Sequence, residues 1–478
     1  MELLFETRVN LSDFKGHLNF VQNKPEVHPE PVLRPDTFAD GKGVSIYGSV
    51  HRDGGKLRMW YLAVPADWDY KNDMSSVGYA ESDDGIHWEK PALNLLDHGP
   101  GPNNLTNLAL HSATVFIDPE SPPSHRYRAT GCGYKGLFMA HPEIEEMGYY
   151  TAHSADGLDW QLDAPKPRWY SADVITNVYH PWQQRAVVAM KFTPRVGRML
   201  RRSIHTAEFK DGDYSDPVTA LYPDEFDDVC AAARGHASCD YYGMGMLAAG
   251  SGTVGFLWNY WHDLPYTGDA YVALYGTSDV TLVYQPERGG RWFHVHGRPI
   301  FIDHTDRPWM NGWINTSSCP VEMGDEHWLF FSGVPTSHGF YLDERWQRID
   351  RWTDWTSRYG EGGIGFARWP KWRLFGFESD PEGSFVIDLG PIDRPGELHL
   401  NYRTKPGGAI RVELFEAGGP EPIPGRSLAD AAPLAGDGTA EKVAWKDGSV
   451  IAPTGGKSVR AKLHLECAAA YAYEVRDV

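Results

Sequence analysis

The chain of 478 residues is poor in cysteine, in basic charge and in long apolar runs. Its five cysteines, Cys132, Cys230, Cys239, Cys319 and Cys467, are scattered, odd in number and never spaced as CxxC. This argues against a disulfide framework or a zinc ribbon, and free thiols in a reducing compartment are expected. Lysine and arginine total 45 against 64 aspartates and glutamates, a formal net charge of −19. So acidic a surface suits no phosphate backbone, and no nucleic-acid partner is expected; neutral sugars remain open. No apolar run approaches the roughly 18 residues of a membrane span. The N-terminal MELLFETRVNLSDFKGHLNF has no basic segment followed by an apolar core, so no secretory leader is read. A cytoplasmic location without a membrane partner is the expectation. Long helical periodicity is missing too, and so are His-x-His and His-Glu-x-x-His spacings. No catalytic metal or cofactor is expected, although oxygen ligands alone leave a structural Ca²⁺ on the axis open.

Turn residues and rings are abundant: 50 Gly, 34 Pro and 18 Trp, with aromatics at 13%. Short strands joined by tight turns use such a composition, and so do surfaces that stack sugar rings. One phrase repeats. SDDGIHWEKP at Ser82–Pro91 is echoed by HSADGLDWQ at His153–Gln161 and, in worn form, by YQPERGGRWFHV at Tyr284–Val295. Each copy follows an apolar run and sets a Gly-containing turn just before an aromatic, as a β-hairpin requires. Further echoes end near Tyr214 and Trp372, so five units of several short strands are read. That is a five-bladed β-propeller. The strand signals agree, for example GVSIYGSVHRD, KLRMWYLAV and SSVGYAESDDG in the first unit. Beyond Phe375 the segments GSFVIDLG, ELHLNYRT, AIRVELFE, EKVAWKD, SVRAKLHLE and AYAYEV alternate between Gly/Pro loops. They predict a β-sandwich. The expected fold is all-β, a propeller over 1–378 and a sandwich over 379–478.

The five-unit array closing on IGFARWPKWRLFGF, with VFIDPESPPSHRYRA, YYGM and the C-terminal LHLNYRT and AIRVELFE, resembles the five-bladed propeller glycosidases. These are the fructosidase and arabinanase families, grouped as glycosyl hydrolase family 32 N-terminal domain-like. The resemblance implies a glycoside hydrolase that releases a terminal, furanose-like unit from a small oligosaccharide or glycoside. The fructosidase nucleophile motif Trp-Met-Asn-Asp-Pro-Asn-Gly is absent, as are the Arg-Asp-Pro and Glu-Cys motifs. RPWMNGWIN at Arg307–Asn315 has Gly312 after Trp309-Met310-Asn311, and no nucleophile is carried to it.

Glycosidic cleavage generally needs two carboxylates about one bond, and inner strands begin at the funnel of a propeller. The acids at those positions are Asp173 in YSADVITNVYH, Asp240 in HASCDYYGM and, as a third, Asp40 ahead of GVSIYGSVHRD. One of them is expected to be held protonated by apolar surroundings while another stays ionised. Asp84 and Asp156, in the echoes, are read as Asx-turn residues, and Asp118 as a turn residue before Pro119. His51, His111, Asn177, His236, Tyr242, Arg307, Asn311 and His338 lie near inner strands as candidate sugar contacts. Trp258, Trp261 and Trp309 are candidate stacking platforms, whereas Trp88, Trp160 and Trp292 are read as packing. Two other functions stay open. One is a non-hydrolytic carbohydrate-active enzyme, a transglycosidase or a lyase using His236 and Tyr242, and the other is a sugar-binding propeller without activity. A homo-oligomer is compatible with the sequence.

Overall fold

A computed structural model describes residues 1–6, 10–68, 76–134, 144–196, 199–262, 276–338, 341–342, 348–349 and 359–478. Five blades follow one another along the chain, each an antiparallel sheet read from the centre outwards. Blade 1 comprises Gly43–Asp53, Lys56–Val64 and Ser76–Ser82; blade 2 comprises His111–Ile117, Tyr127–Gly133, Gly148–Ser154 and Gln161–Leu162. Ile175–His180, Arg185–Phe192, Ser203–Lys210 and Asp213–Tyr214 form blade 3, and Ser238–Ala249, Gly252–His262, Gly276–Gln285 and Phe293–His294 form blade 4. Blade 5 runs Trp313–Thr316, Glu326–Val334 and Gly363–Pro370, and Glu26–Val27 from the start of the chain pairs with its third strand. The array is thus closed by an N-terminal strand. A single α-helix, Glu225–Ala233, is capped by Asp224 and is the only one among the described residues.

Inner strands crowd round an axis, so they carry small hydroxyl residues where outer strands carry rings. Ser45 and Ser49 of blade 1 bond Ser332 (3.0 Å) and Ser318 (2.6 Å) of blade 5. Val115 of blade 2 donates its N–H to Ser49 Oγ (2.9 Å), and Asn177 of blade 3 donates to Thr114 O (2.9 Å) of blade 2. Thr176 donates to Met244 O of blade 4, and Met246 N–H to Ser318 O of blade 5 (2.7 Å). This belt links each inner strand to the next and satisfies the buried polar groups that a tight centre demands. The rings fill the wedges between blades, as where Trp60 and Tyr79 of blade 1 pack on Tyr127 and Tyr150 of blade 2. Each such ring removes about 150–250 Å² from water, worth on the order of 4–6 kcal/mol before the entropy cost.

The repeated phrase is the hairpin turn it suggests. Asp84 Oδ1 accepts the N–H groups of Ile86 and His87 (both 2.8 Å), and Asp156 Oδ1 those of Leu158 (2.8 Å) and Asp159 (3.0 Å). The indoles of Trp88 and Trp160 donate to Gly85 O (3.0 Å) and Gly157 O (3.1 Å).

The C-terminal unit is one sheet of seven strands built on Phe375–Pro391, Gly396–Glu416 and Ser458–Asp477. ELHLNYRT and AIRVELFE are a single strand, and so are SVRAKLHLE and AYAYEV; register shifts at Thr404/Ala409 and Ser379/Glu382 interrupt the long ladders. Leu398, Leu400 and Tyr402 before the first of these breaks share one apolar core with Ile410, Val412 and Leu414 after it. Both chain ends contribute. Leu11–Gln22 pairs with Phe375–Ile387, and Glu2–Leu3 with Ala472–Tyr473. The strands Glu2–Leu3 and Leu11–Gln22 from the start of the chain therefore belong to the same sheet as Phe375–Pro391 and Ser458–Asp477.

Candidate active site

Three inner strands are irregular at the same height, where they enter the funnel. Register shifts fall at Ser45/Ser49 in blade 1, His111/Thr114 in blade 2 and Tyr241/Gly243 in blade 4. An extra residue in a strand re-aims its side chain, and bulges gather beside active sites for this reason. In blades 1 and 4 the bulge is a Tyr-Gly pair, Tyr47-Gly48 and Tyr242-Gly243. A Cβ on Gly48 would lie 1.8 Å from Trp60 O, and one on Gly243 2.4 Å from the Trp258 ring, so only glycine fits either place. In blade 3 the equivalent position is Asp173, whose φ of 88° is rare for a residue with a side chain. Its N–H donates to Cys132 Sγ of blade 2 (3.3 Å).

These distortions bring one cluster together. Asp173 Oδ1 lies 2.9 Å from His111 Nε2, and its Oδ2 contacts Lys191 Nζ. The Lys191 ammonium sits 4.1 Å from the centroid of the Tyr242 ring, and the Arg202 guanidinium 5.4 Å from the same ring. Trp313 meets Tyr242 edge-on at 4.9 Å, and His338 lies 5.5 Å from Tyr242 and 4.5 Å from Trp313. Tyr47 stands 5.6 Å from His111. Arg202 pairs with Asp240 (3.1 Å), which also meets Arg201 (3.3 Å) and His262 (3.1 Å). Asp173 and Asp240 thus share one funnel, joined through Lys191, Tyr242 and Arg202.

The two acids differ in access. The Asp173 side chain is 21% exposed and that of Asp240 only 1%. Burial pushes the Asp173 carboxyl up, but the Lys191 ammonium and the His111 hydrogen bond outweigh it and hold it well below the usual carboxylate range. For Asp240 burial is likewise outweighed, by His262 first and then by Arg202 and Arg201. Both are therefore ionised. The expected division, one carboxyl protonated and one not, is corrected: the surroundings of each acid are cationic rather than apolar. Burial lifts the Tyr242 hydroxyl well above the ordinary tyrosine value, with Asp173 and Tyr47 adding to the rise, so this ring is a neutral wall.

Of the residues singled out in the sequence, Asp173, His111, Tyr242 and His338 line this cluster, and Asp240 holds Arg202 beside it. Asp40 does not join it. It is fully buried and accepts hydrogen bonds from Lys90 (2.5 Å), Tyr61 (2.9 Å) and Thr37 (2.8 Å), which leaves a substrate no approach. His51 lies at the far end of its strand, 2.7 Å from Val115 O, and Asn177 is a member of the hydroxyl belt. Trp258 is fully buried with its indole on Thr316 (2.9 Å), and Trp309 stacks on Phe331 (5.4 Å) with its indole on Pro29 O (3.0 Å). Both are packing, since every blade wedge needs a large ring. Trp261 is buried as well and donates to Asp279 (2.9 Å), while His236 rests over it at 6.4 Å. Arg307 donates to Val27 O (3.1 Å) and holds the closing strand, and Asn311 ends a short 3-10 turn at the surface.

Tyr47, Lys191, Arg202, Tyr260, His262 and Trp313 were not singled out. The recurring Tyr-Gly in IYGS and YYGM was a usable signal, as was a lysine ending the apolar run RAVVAMKF. Among the described residues, one group has metal-ligand spacing, Asp279, Asp303 and His304. Asp279 is already taken by Trp261 (2.9 Å), His304 (2.6 Å) and Arg234 (3.4 Å), so this donor set is complete without an ion.

No protein-family model and no curated protein sequence matches the chain. Solved structures with a similar course include an N-acetylgalactosamine deacetylase from F. plautii in complex with blood group B trisaccharide, at 13% identity and a TM-score of 0.46, covering 74% of this chain and 97% of that one. A member of the GH130 family of mannoside phosphorylases, which contains glycoside hydrolases that target beta-1,2 mannosidic linkages in Candida mannan, matches at 13% identity and a TM-score of 0.41, over 77% and 96%. An exo-inulinase from Aspergillus awamori matches at 14% identity and a TM-score of 0.40, over 94% and 99%. Likeness at this level leaves the chemistry to the chain's own residues.

Proposed function

We propose that the protein is a glycoside hydrolase that removes a terminal sugar from a small oligosaccharide or glycoside. One observation carries this: a partly exposed, ionised carboxylate, Asp173, fixed by a rare backbone conformation in a funnel walled by Tyr47, Tyr242, Trp313 and His338. Aromatic walls stack the C–H faces of sugars, and a carboxylate at the anomeric carbon stabilises the oxocarbenium-like transition state as nucleophile or as base on a water. The ion pairs Lys191–Asp173 and Arg202–Asp240 leave the funnel near neutrality, which suits an uncharged sugar. Below it the hydroxyl belt joins the five inner strands, a floor that favours one chain end over passage of a polymer. The resemblance to fructosidases and arabinanases favours a furanose-like terminal unit.

Neither Asp173 nor Asp240 holds a proton to give, so substrates with a stabilised leaving group are the sharpest probes. A panel of nitrophenyl furanosides and pyranosides, assayed with the parent and with Asp173→Asn, tests the proposal. At least one furanoside is expected to be cleaved, and the variant to lose about 10²–10⁴-fold in kcat/KM. A variant as active as the parent would remove Asp173 from the chemistry, and a parent inert on the whole panel would favour a binding function.

A further inference from the structure

One row across blade 2 serves the carboxylate of blade 3. His111, Cys132 and Tyr149 stand directly opposite one another on the first three strands of blade 2. All three reach the same segment. His111 Nε2 lies 2.9 Å from Asp173 Oδ1, Cys132 Sγ accepts the Asp173 N–H (3.3 Å), and the Tyr149 hydroxyl lies 2.9 Å from Ala172 O. The peptide that joins Ala172 to Asp173 is therefore gripped at both ends, its oxygen by Tyr149 and its N–H by Cys132. The orientation of that peptide plane sets φ of Asp173, the rare 88°.

The Tyr149 hydroxyl also meets the backbone of the counter-ion. It lies 2.8 Å from Val174 O and 2.9 Å from Lys191 O, so both segments that carry the Lys191–Asp173 pair send carbonyls to one oxygen. Around it Lys191 N–H donates to Val174 O (3.0 Å) and Ser171 Oγ to Lys191 O (2.8 Å). Tyr149 is fully buried. Burial, with Cys132 and Asp173 adding to it, lifts the hydroxyl well above the ordinary tyrosine value, so it keeps the proton it donates. Burial likewise pushes the Cys132 thiol up to about 12, and a neutral sulfur faces the Asp173 N–H. Packing alone does not account for this arrangement. A ring that only fills a wedge needs one acceptor for its hydroxyl, and Tyr150, the next residue, has one in Glu146 O (2.9 Å).

We propose that Tyr149, with Cys132, is a positioning residue for Asp173, holding its backbone in the left-handed conformation that sets the carboxylate between His111 and Lys191. The role rests on the reading of Asp173 as the carboxylate that acts at the anomeric carbon. Without the hydroxyl the Ala172 carbonyl loses this donor, and the peptide is free to turn towards the negative φ values that suit an aspartate. The carboxylate then moves off His111 and Lys191, and its charge is no longer held by them.

The test is the pH dependence of kcat and KM for the full chain on a nitrophenyl glycoside that the parent cleaves, with thermal melting alongside. Tyr149→Phe removes one oxygen and leaves the ring in its wedge against Phe116, Trp169 and Val188. It is expected to lower kcat about 10–100-fold with KM within about twofold, and to move the acid limb towards neutrality. Cys132→Ser, which keeps an acceptor, should retain more of the parental kcat than Cys132→Ala. Tyr150→Phe, which deletes the neighbouring hydroxyl, should leave kcat and the acid limb unchanged. Parental kcat and acid limb in Tyr149→Phe overturn the proposal, as does an equal loss in Tyr150→Phe, which would make the effect a general loosening of the blade. Should Tyr149→Phe melt below the assay temperature, equal kcat in Cys132→Ser and Cys132→Ala would overturn it as well. A parent inert on every glycoside would remove the reaction and the role with it, whereas an active parent with an indifferent Tyr149→Phe removes the role alone.

Discussion

Removing the ammonium of Lys191 would leave Asp173, partly exposed at the funnel wall, with His111 as its remaining close donor. The sign of the consequence follows from the folded state. The carboxyl of Asp173 sits below its unfolded value, so the stability it contributes is present above about pH 4 and is lost as pH falls through the lower folded value. Its ionised form therefore persists through the acidic range in the parent. In Lys191→Met burial is no longer opposed by that charge, and the carboxyl rises. The acid limb of the kcat/KM profile should move towards neutrality, with the pH 5 to pH 8 rate ratio falling about tenfold for each pH unit by which the limb passes above pH 5. Lys191→Arg should keep the parental limb. A profile in Lys191→Met that superimposes on the parent's would deny Lys191 this positioning role. At this scale the sequence pointed to Asp173, His111 and Tyr242 because each stands at or near the start of an inner strand, and to His338 because it follows the second strand of blade 5. It did not separate them from Asp40, which occupies the same formal position but meets Lys90 and Tyr61 across the blade. Those contacts come from residues 21 and 50 positions away, beyond any local pattern.

Strands and turns were legible because period-two alternation and Asp-Gly turns are local signals. The three strands read for blade 1 coincide closely with Gly43–Asp53, Lys56–Val64 and Ser76–Ser82. Bulges were not legible, since one extra residue reverses the faces of everything beyond it, and DYYG alone does not say which tyrosine turns inward. Tyr241 is buried in the wedge with its hydroxyl on Asp227 (2.6 Å), and Tyr242 is the one delivered to the funnel. The bulge depends on Gly243. An added Cβ would meet the Trp258 ring at 2.4 Å and Val174 at 2.8 Å, and Trp258 cannot retreat because its indole is tied to Thr316 (2.9 Å). Gly243→Ala is therefore expected to cost about 1–3 kcal/mol in urea unfolding, the range for overpacking a filled core. Because the strain falls on the bulge, kcat/KM should drop as well. A variant with parental stability would show that the strand passes this point without the bulge.

The closure of the whole molecule was the part least visible in the sequence, because it depends on pairing between chain ends. MELLFETRVNLSDFKGHLNF reads as an ordinary start, yet Leu11–Gln22 forms the edge of the C-terminal sheet and Glu26–Val27 completes blade 5. Phe20 touches Phe375 (5.5 Å) and Phe377 (5.4 Å), and Phe14 lies against Phe377 (5.3 Å) and Phe385 (6.0 Å). Leu4 and Leu11 are counted in the same apolar core as Leu463 and Tyr473. A fragment of residues 375–478 lacks Leu4, Leu11, Phe14 and Phe20 and presents an open edge along Phe375–Ile387, the kind of unpaired strand that aggregates. It is expected to be insoluble or to lack a cooperative thermal transition by circular dichroism. Joining residues 1–24 to its C-terminus through a flexible linker should restore a soluble, cooperatively melting unit, because the pairing requires the strand and not its covalent position. Cooperative unfolding of 375–478 alone would show that the edge strand is dispensable. Failure of the linked form would mean that the sheet also needs the apolar contact from Tyr284 of blade 4, whose ring stacks on Phe5 (5.3 Å) and meets Phe375 (5.6 Å).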